Sequence, residues 1–389
     1  MIRKTLVLVI KRLLLVCLAL ILLLCGGLLA TDNAYIFTAF SRTYMYGHRT
    51  ANINDHQAFE TRVIEAAEQQ LWPLHEQYGG EDLPQDLVDY LEQSRSAAFL
   101  VIHKGRVLRE RYFAEYSETS KTNSFSMAKT VVTLLLGIAI DEGLVDGLDQ
   151  KIIDFLPEFA DQEYGRQVTV GSLSSMTSGY EWDEGYYNAF SPTVELLYGD
   201  SVTDFVLGGR FTTLPGSSYH YSSASVQILA VLLTRALKQT DPDTTLASYL
   251  SEKLWQPLGM NASGLWHLDN SGMELAFCCL NTNVRNYAKL GQFMLQDGVW
   301  EGKQLVPAAF VELMRTPQAD DRFGYSSWIN ERNNPPYYSL NGHLGQYVII
   351  VPDYELVIVR LGEIRRPEQA ARRSGVSFYI EQVLPLLGV

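Results

Sequence analysis

Cysteine is scarce in this sequence, which holds four cysteines in 389 residues. Two of them lie in an apolar N-terminal stretch, and the other two, Cys278 and Cys279, are neighbours in the chain. Small extracellular folds that rely on disulfides need several bridges between distant segments, so that class is excluded. Adjacent cysteines can form only a strained disulfide, and we therefore expect two buried thiols at positions 278 and 279.

Metal-binding spacings are missing as well. The seven histidines are scattered, and neither a CxxC pair nor an HExxH motif occurs. These spacings are the ones that build most zinc sites, so we expect no metal and no cofactor. The GxSxG motif is also absent, which argues against the nucleophile elbow of an α/β-hydrolase.

Basic residues are fewer than acidic ones. The chain carries 31 Lys and Arg against 44 Asp and Glu, a net charge of −13. Such a surface repels phosphate backbones, so nucleic acid is excluded as the main partner. The first 30 residues differ from the rest because they contain no acid and four bases, namely Arg3, Lys4, Lys11 and Arg12.

Residues 13–30 run for 18 positions without a charge, close to the roughly 20 that cross a bilayer core. All four bases precede this run, so the positive-inside rule places the chain after it outside the cytoplasm. A cleaved signal peptide and a retained anchor both fit. The run exceeds the usual signal-peptide core of about 7–15 residues, which favours a single-pass anchor in the inner membrane with an extracytoplasmic, periplasmic domain.

The remaining chain divides into two predicted parts. After the anchor or signal segment at residues 1–30, residues 31–90 have mixed character and predict a stalk or a lead-in. The main domain is predicted over residues 91–389, where regular hydrophobic patterns begin.

Strand patterns occur at both ends of that domain. Residues 97–102 and 106–113 flank a short turn and predict an antiparallel hairpin, while residues 345–351 and 356–361 predict two more strands. Between them, residues 140–265 show mainly helical patterns. Strands that bracket helices predict an α+β fold, with one antiparallel sheet flanked by helices and an inserted helical lobe.

The sharpest chemical motif is Ser126-Met127-Ala128-Lys129 at the start of an apolar helix. A serine and a lysine three positions apart share one helix face, so the amine can reach the hydroxyl. Ser126 at the helix start would have free N–H groups beside it, which favour a developing negative charge. Burial on this apolar helix should lower the pKa of Lys129 and allow it to carry protons. The alternative is a capping serine followed by a surface lysine.

Four runs in this order resemble the serine β-lactamase-related hydrolases. They are NSFSMAKT (123–130), VTVGSLSSMTSGYEWDE (168–184), PGSSYHYSSASVQILAVLL (215–233) and WQPLGM (255–260). The pattern is most similar to the class C β-lactamase-like branch that holds 6-aminohexanoate-dimer hydrolases and related esterases. The resemblance spans roughly residues 95–385. It implies a β-lactamase/transpeptidase-like fold and a hydrolase that forms an acyl-enzyme on Ser126.

The resemblance also implies roles for tyrosines. The family's Tyr-x-Asn motif matches Tyr221-Ser222-Ser223, so Tyr221 would exchange protons with the nucleophile and the leaving group, and Ser223 replaces the asparagine. A lysine ammonium beside this phenol would lower its pKa, which suits a general base. A literal Tyr-x-Asn occurs at Tyr186-Tyr187-Asn188. There the resemblance implies a lid in which Tyr186 closes over the substrate, with a solvent-facing loop tyrosine as the alternative.

The family's third motif has two candidate registers. His343-Leu344-Gly345 matches a common variant by its letters, and Gln346 would then donate to the oxyanion. Counting back from Pro352 as in the esterase-like branch selects Leu340-Asn341-Gly342, so the N–H groups of Ser126 and His343 would form the oxyanion hole. We prefer the second register.

The substrate is less well defined by the sequence. Neither register supplies the motif lysine or threonine that helps penicillin-recognising enzymes hold a carboxylate, which favours an ester or amide. Residues 167–209 hold six acids and no Lys, Arg or His, so this region could attract an amine-bearing substrate, or simply form a solvated acidic face.

The predicted protein is thus an exported, membrane-tethered serine hydrolase that cleaves a small ester or linear amide through Ser126, Lys129 and Tyr221. The nearest alternative is a penicillin-recognising β-lactamase or D-Ala peptidase. An alternative of another class is a catalytically idle binding or scaffold protein of the cell envelope.

Overall fold

The computed structural model describes residues 2–68, 70–365 and 375–388. Met1 of the predicted anchor, residue 69 of the predicted lead-in, and residues 366–374 and 389 of the predicted domain lie outside the described residues. The helices are α1 (Ile2–Ala30), α2 (Tyr35–Thr43), α3 (Gln85–Gln93), α4 (Met127–Asp141), α5 (Val170–Ser174), α6 (Pro192–Tyr198), α7 (Val202–Leu207), α8 (Ser223–Thr240), α9 (Leu246–Leu250), α10 (Val284–Leu295), α11 (Ala308–Met314) and α12 (Val376–Val383). The strands are β1 (Thr61–Ile64), β2 (Ser96–His103), β3 (Arg106–Tyr112), β4 (Thr122–Asn123), β5 (Gly264–His267), β6 (Leu280–Thr282), β7 (Val299–Trp300), β8 (Lys303–Gln304), β9 (Trp328–Asn330), β10 (Tyr337–Gly342), β11 (Gln346–Val351) and β12 (Leu356–Gly362).

The N-terminal helix α1 is apolar enough to cross a membrane. Its segment Thr5–Ala30 has 26 residues with a mean hydropathy of 3.0, and its most apolar window is not buried by the rest of the protein. An unburied apolar helix of this length at the N-terminus is typical of a secretion signal or a single-pass anchor.

The main sheet is antiparallel and has the strand order β3-β2-β12-β11-β10-β9. β2 and β3 form the predicted N-terminal hairpin, and β11 and β12 form the predicted C-terminal pair. Because β12 pairs with β2, the two ends of the domain build one sheet. The predicted α+β fold, with a sheet built from both ends of the domain, is confirmed.

Both faces of this sheet are covered, which explains why β2 is apolar throughout. Its side chains alternate between faces, so Leu100 and Ile102 join one core cluster, whereas Phe99 and Val101 join the other. α10 packs on the first face, and α3 and α12 contribute to the second. Two cores hold the sheet rigid beneath α4, which packs against β10 and β11.

Five helices, α5 to α9, lie in the stretch where the sequence predicts a helical lobe. Their starts are fixed by short polar side chains that accept hydrogen bonds from the first free N–H groups. These caps are Thr169, Ser191, Ser201, Ser222 and Thr245. The long helix α8 is buried over most of its length and packs against α4, so the lobe is firmly seated beside the start of α4.

Residues 35–64, within the predicted stalk or lead-in, pack against the rest of the described structure. Ile53 is fully buried, and β1 pairs with β5 at the edge of a second sheet of order β1-β5-β6-β4. The predicted boundary at residue 91 falls inside α3, whose Leu87 and Leu91 are buried against the main sheet. This segment has few long apolar runs, so its burial by distant strands was not visible in the sequence.

Gly291 allows α10 to lie close to the main sheet. A Cβ at this position would lie 2.6 Å from Cγ1 of Val348 and 2.7 Å from Cγ1 of Val357, both fully buried. We expect Gly291→Ala to lower the free energy of unfolding by about 1–2 kcal/mol, because overpacking outweighs the gain of about 1 kcal/mol in helix propensity.

Guanidinium unfolding of the full chain in detergent, followed by tryptophan fluorescence, measures this change. Gly27→Ala is the matched control, since a Cβ on that helical glycine has nothing within 4 Å. A Gly291→Ala variant as stable as the parent would contradict the close packing of α10.

Candidate active site

A tight turn presents Ser126 at the start of α4. The preceding residue, Phe125, adopts a φ of +46°, a left-handed conformation that is unfavourable for a bulky residue. The Asn123 side chain holds the turn, since it accepts a hydrogen bond from the Phe125 N–H at 2.8 Å and donates to Asp55 at 2.9 Å. Ser126 therefore occupies a fixed position at the N-terminus of a helix.

Lys129 lies one turn further along α4 and is 2% exposed. Its Nζ lies 3.0 Å from Oγ of Ser126 and donates to the Phe277 carbonyl oxygen at 2.7 Å. Burial lowers the pKa of Lys129 to about 8, although the Glu184 carboxylate acts in the opposite direction. The Lys129 amine lies close to the Ser126 hydroxyl and its pKa is lowered, both as the sequence predicts. A substantial fraction of this amine is therefore neutral near pH 8.

Tyr221 comes from the loop before α8, and its ring centroid lies 5.3 Å from Nζ of Lys129. The prediction of a lowered pKa for this phenol is wrong. Burial and the Glu184 carboxylate raise the pKa of Tyr221 well above its usual range, and the neighbouring Ser126 hydroxyl only partly offsets them. Tyr221 therefore stays protonated at neutral pH and is a donor rather than a base.

Glu184 is the residue at the centre of the site that sequence reasoning missed. Its carboxylate accepts hydrogen bonds from the Tyr186 hydroxyl at 2.7 Å, the Ser223 hydroxyl at 2.6 Å and the Ser223 N–H at 2.9 Å. The indole N–H of Trp182 also donates to it. The sequence marked Glu184 only as one of several acids in the acidic run, because nothing local indicates that these partners converge on it.

The third motif lies where β10 ends, beside the Ser126 turn. A Cβ on Gly342 would collide with the Ser124 carbonyl oxygen, so only glycine permits this approach. Among the loop, turn and cap hydrogen bonds of the described chain, neither the Ser126 N–H nor the His343 N–H donates to a carbonyl. The two amides can therefore serve a substrate oxygen.

Gln346 begins β11, after the turn that follows β10. It is fully buried in β11, and its side chain donates to the carbonyl oxygens of His343 at 3.0 Å and Gly362 at 2.7 Å. His343 lines the cavity beside Ser126 and Gln346 does not. This geometry favours the register Leu340-Asn341-Gly342.

Aromatic side chains surround His343. Its ring centroid lies 4.7 Å from that of Tyr186 and 5.5 Å from that of Phe125. Burial and the Arg365 guanidinium lower the pKa of His343 to about 4, so this imidazole is neutral at neutral pH. The contact with Tyr186 brings the predicted lid tyrosine to the edge of the site.

A cavity of about 350 Å³ opens beside Ser126. Tyr186, Ser223 and His343 line it on the catalytic side. Tyr221 instead lines a separate narrow cleft with Ser126, Lys129 and Asn341. Six of the seven predicted site residues thus line one of these two spaces, both of which reach Ser126, and Gly342 lies beside the Ser126 turn.

Cys278 also lines the cavity and is joined to Cys279 by a disulfide, so the prediction of two thiols is wrong. Cys279 has a φ of +73°, and this backbone conformation brings the two neighbouring sulfurs together, with 3.7 Å between their Cα atoms. The carbonyl oxygen of Phe277, the next residue upstream, is the one that binds Lys129.

Comparisons with known proteins agree with this geometry. The sequence profile of the Beta-lactamase family matches residues 84–375. The 6-aminohexanoate-dimer hydrolase of Paenarthrobacter ureafaciens is 25% identical over 315 residues, which cover 73% of this chain and 76% of that protein.

Solved structures have the same fold. One from Bacillus anthracis, provisionally assigned the same dimer-hydrolase name, has a TM-score of 0.72 at 20% identity and covers 90% of this chain and 93% of its own. A family VIII carboxylesterase has a TM-score of 0.59 at 16% identity and covers 78% of this chain and 94% of its own.

The close approach at Gly342 can be tested by chemical labelling of Ser126. We expect Gly342→Ala to slow labelling by a fluorophosphonate at least tenfold, because the added methyl moves β10 and the His343 N–H away from Ser126. Gly26→Ala is the control, since a Cβ on this helical glycine would have nothing within 4 Å. Unchanged labelling of Gly342→Ala would remove His343 from the oxyanion hole.

Proposed function

This chain belongs to the beta-lactamase family, and we propose that it is an exported, membrane-tethered serine hydrolase that cleaves an ester or a linear amide. The observation that carries the proposal is the distance of 3.0 Å between Nζ of buried Lys129 and Oγ of Ser126. A lysine with a pKa of about 8 can take the serine proton near neutral pH, which an ordinary lysine cannot do.

The proposed reaction has two steps. Neutral Lys129 accepts the Ser126 proton while Oγ attacks the carbonyl carbon, and the N–H groups of Ser126 and His343 stabilise the oxyanion. Tyr221 donates its proton to the departing alcohol or amine and regains one from the Lys129 ammonium. Water then attacks the Ser126 ester while neutral Lys129 takes its proton, and the Lys129 ammonium returns a proton to Oγ as the carboxylic acid leaves, which restores the serine.

The protonated state of Tyr221 supports this division of roles. Its raised pKa leaves almost no phenolate to act as a base at neutral pH. The same protonated phenol has a proton available for the leaving group near the pH at which Lys129 becomes neutral. The predicted general base is thus replaced by Lys129, and Tyr221 acts as the acid. Ser223 and Tyr186 hold Glu184 beside this pair, which makes them positioning residues in the proposal.

An ester or linear amide is preferred over a penicillin because of the third motif. The motif residues Leu340 and Asn341 are uncharged, so β10 supplies no cation for a substrate carboxylate. The relatives named above are a dimer hydrolase and a carboxylesterase, in line with this choice. Retention of α1 as an anchor would hold the domain at the outer face of the membrane.

Two buried lysines allow a matched test of the mechanism. Lys129 and Lys289 are both 2% exposed, and burial lowers the pKa of each to about 8, but the hydrogen bonds of Lys289 in the described part of the chain go to backbone carbonyls. We expect Lys129→Met to reduce kcat/KM for an activated ester by at least about 10³-fold, and Lys289→Met to reduce stability while folded molecules keep their turnover.

Intact-mass spectrometry of the parent and Ser126→Ala identifies the acyl donor. We expect an acyl adduct or turnover with an activated ester or a linear aminohexanoyl amide, both dependent on Ser126. Reaction with penicillin instead would favour the penicillin-recognising alternative. No Ser126-dependent reaction with any donor would support the binding-protein alternative.

The pH profile tests which group must lose its proton. Below the Lys129 pKa of about 8, kcat/KM should fall about tenfold per pH unit as the amine becomes protonated, and it should level above that pH. Because the Glu184 charge raises this pKa, Glu184→Gln should move the rising limb to lower pH. Glu181→Gln is the control, since this exposed acid of the same loop pairs with Arg210 at 2.5 Å and should not move it.

A further inference from the structure

The wall of the cavity opposite Ser126 comes from the N-terminal segment. Ile36, Ala39, Phe40 and Thr43 of α2 line it, followed by Tyr44. α2 is held in place because Tyr35 and Thr43 are buried and the helix packs against α6. A segment next to the predicted anchor thus forms part of the catalytic pocket.

The cavity wall is largely apolar. Val194 and Leu197 of α6 line it together with the α2 residues, and so does Phe125, the neighbour of Ser126 in the chain. Among the described lining residues, Arg49 is the only Arg or Lys, and there is no Asp or Glu. The wall therefore offers a hydrocarbon chain a favourable environment and offers an ammonium group no carboxylate partner.

The cavity also lies close to the predicted membrane surface. Residues 31–34 separate α1 from α2, and four residues span at most roughly 14 Å. Even this linker is compact, because the Thr31 and Asn33 N–H groups bond back to Gly27 and Leu28 at 3.1 and 2.9 Å. The pocket wall formed by α2 is thus held at the end of the apolar helix.

The outer side of the α2 segment exposes apolar and aromatic side chains. Phe40 is 57% exposed, Tyr44 56% and Met45 75%, and Phe37 and Tyr46 are exposed as well. Aromatic residues beside a membrane-spanning helix are typical of the interface between lipid and water. Phe40 and Tyr44 belong both to this exposed set and to the cavity lining, so the cavity mouth lies at that interface.

The acyl chain and the leaving group of a substrate would occupy different spaces beside Ser126. Tyr221, the proposed proton donor to the leaving group, lines the narrow cleft and not the larger cavity. The leaving group must lie on the Tyr221 side, so the acyl chain extends into the cavity beneath α2.

We propose that this cavity binds the hydrocarbon chain of a membrane-resident acyl ester or acyl amide, which enters from the bilayer surface beside Phe40 and Tyr44. The inference rests on the proposed hydrolase function and assigns its substrate class. A volume of about 350 Å³ suits a medium-length chain.

The test uses the full chain in phospholipid nanodiscs and a series of p-nitrophenyl acyl esters from acetyl to dodecanoyl. Burial of each methylene should raise kcat/KM about two- to fourfold, or at least about 50-fold from acetyl to octanoyl. Rates of alkaline hydrolysis without enzyme correct for the reactivity of each ester.

Two variants separate binding in the cavity from partition of the ester into lipid. Ala39→Trp fills the cavity and should lower the octanoyl-to-acetyl ratio at least tenfold, whereas Leu197→Ala enlarges it and should move the optimum to a longer chain. Thr38→Trp is the control for Ala39→Trp, since Thr38 does not line the cavity, and near-UV circular dichroism checks that each variant is folded.

The outcomes separate this inference from the proposed function. Acetyl ester hydrolysis that depends on Ser126, without a gain for longer chains or with a gain that neither Ala39→Trp nor Leu197→Ala changes, would overturn the acyl-chain site and leave the hydrolase in place. Equal hydrolysis of every ester by Ser126→Ala and the parent would overturn both.

Discussion

The buried amine of Lys129 is the constraint on which the rest of the site depends. A charged amine in an apolar helix is unfavourable, and this burial lowers its pKa to about 8. The same burial requires polar partners, which are the Ser126 hydroxyl and the Phe277 carbonyl. One of these partners is the proposed nucleophile, so the contact that makes the buried amine tolerable is also the contact that activates the serine.

Burial alone does not make a lysine reactive, and Lys289 illustrates the difference. It is as buried as Lys129 and its pKa is lowered to a similar value, but backbone carbonyls of Gln70, Leu258 and Gly259 satisfy its amine. None of the hydrogen bonds that its amine makes within the described residues goes to a hydroxyl. The chemistry at Lys129 therefore comes from what its amine touches and from the neighbouring carboxylate of Glu184, whose charge opposes the effect of burial.

Local features of the sequence were predictable, and long-range ones were not. Ser126 and Lys129 lie one helical turn apart, so helix geometry alone brings them together, and the apolar run of β2 with the short turn after it identified the hairpin of β2 and β3. The raised pKa of Tyr221 depends on Glu184, which is 37 positions away and reaches the site through a loop. The Cys278–Cys279 disulfide accompanies the positive φ of Cys279, and β1 pairs with β5, a strand about 200 residues downstream. Neither the disulfide nor the strand contact can be predicted from a short stretch of sequence.

The N-terminal segment has both local features that the sequence shows and long-range contacts that it does not. Read alone, residues 31–64 look like a spacer, because they contain no long apolar run and begin directly after a helix of membrane-spanning length. In the fold, the same residues form a sheet edge, a buried contact at Tyr35 and one wall of the pocket beside Ser126. A free spacer would leave the pocket open to water on that side. Because α2 closes it, the position of the domain relative to α1 and the chemistry at Ser126 are coupled through a single short helix.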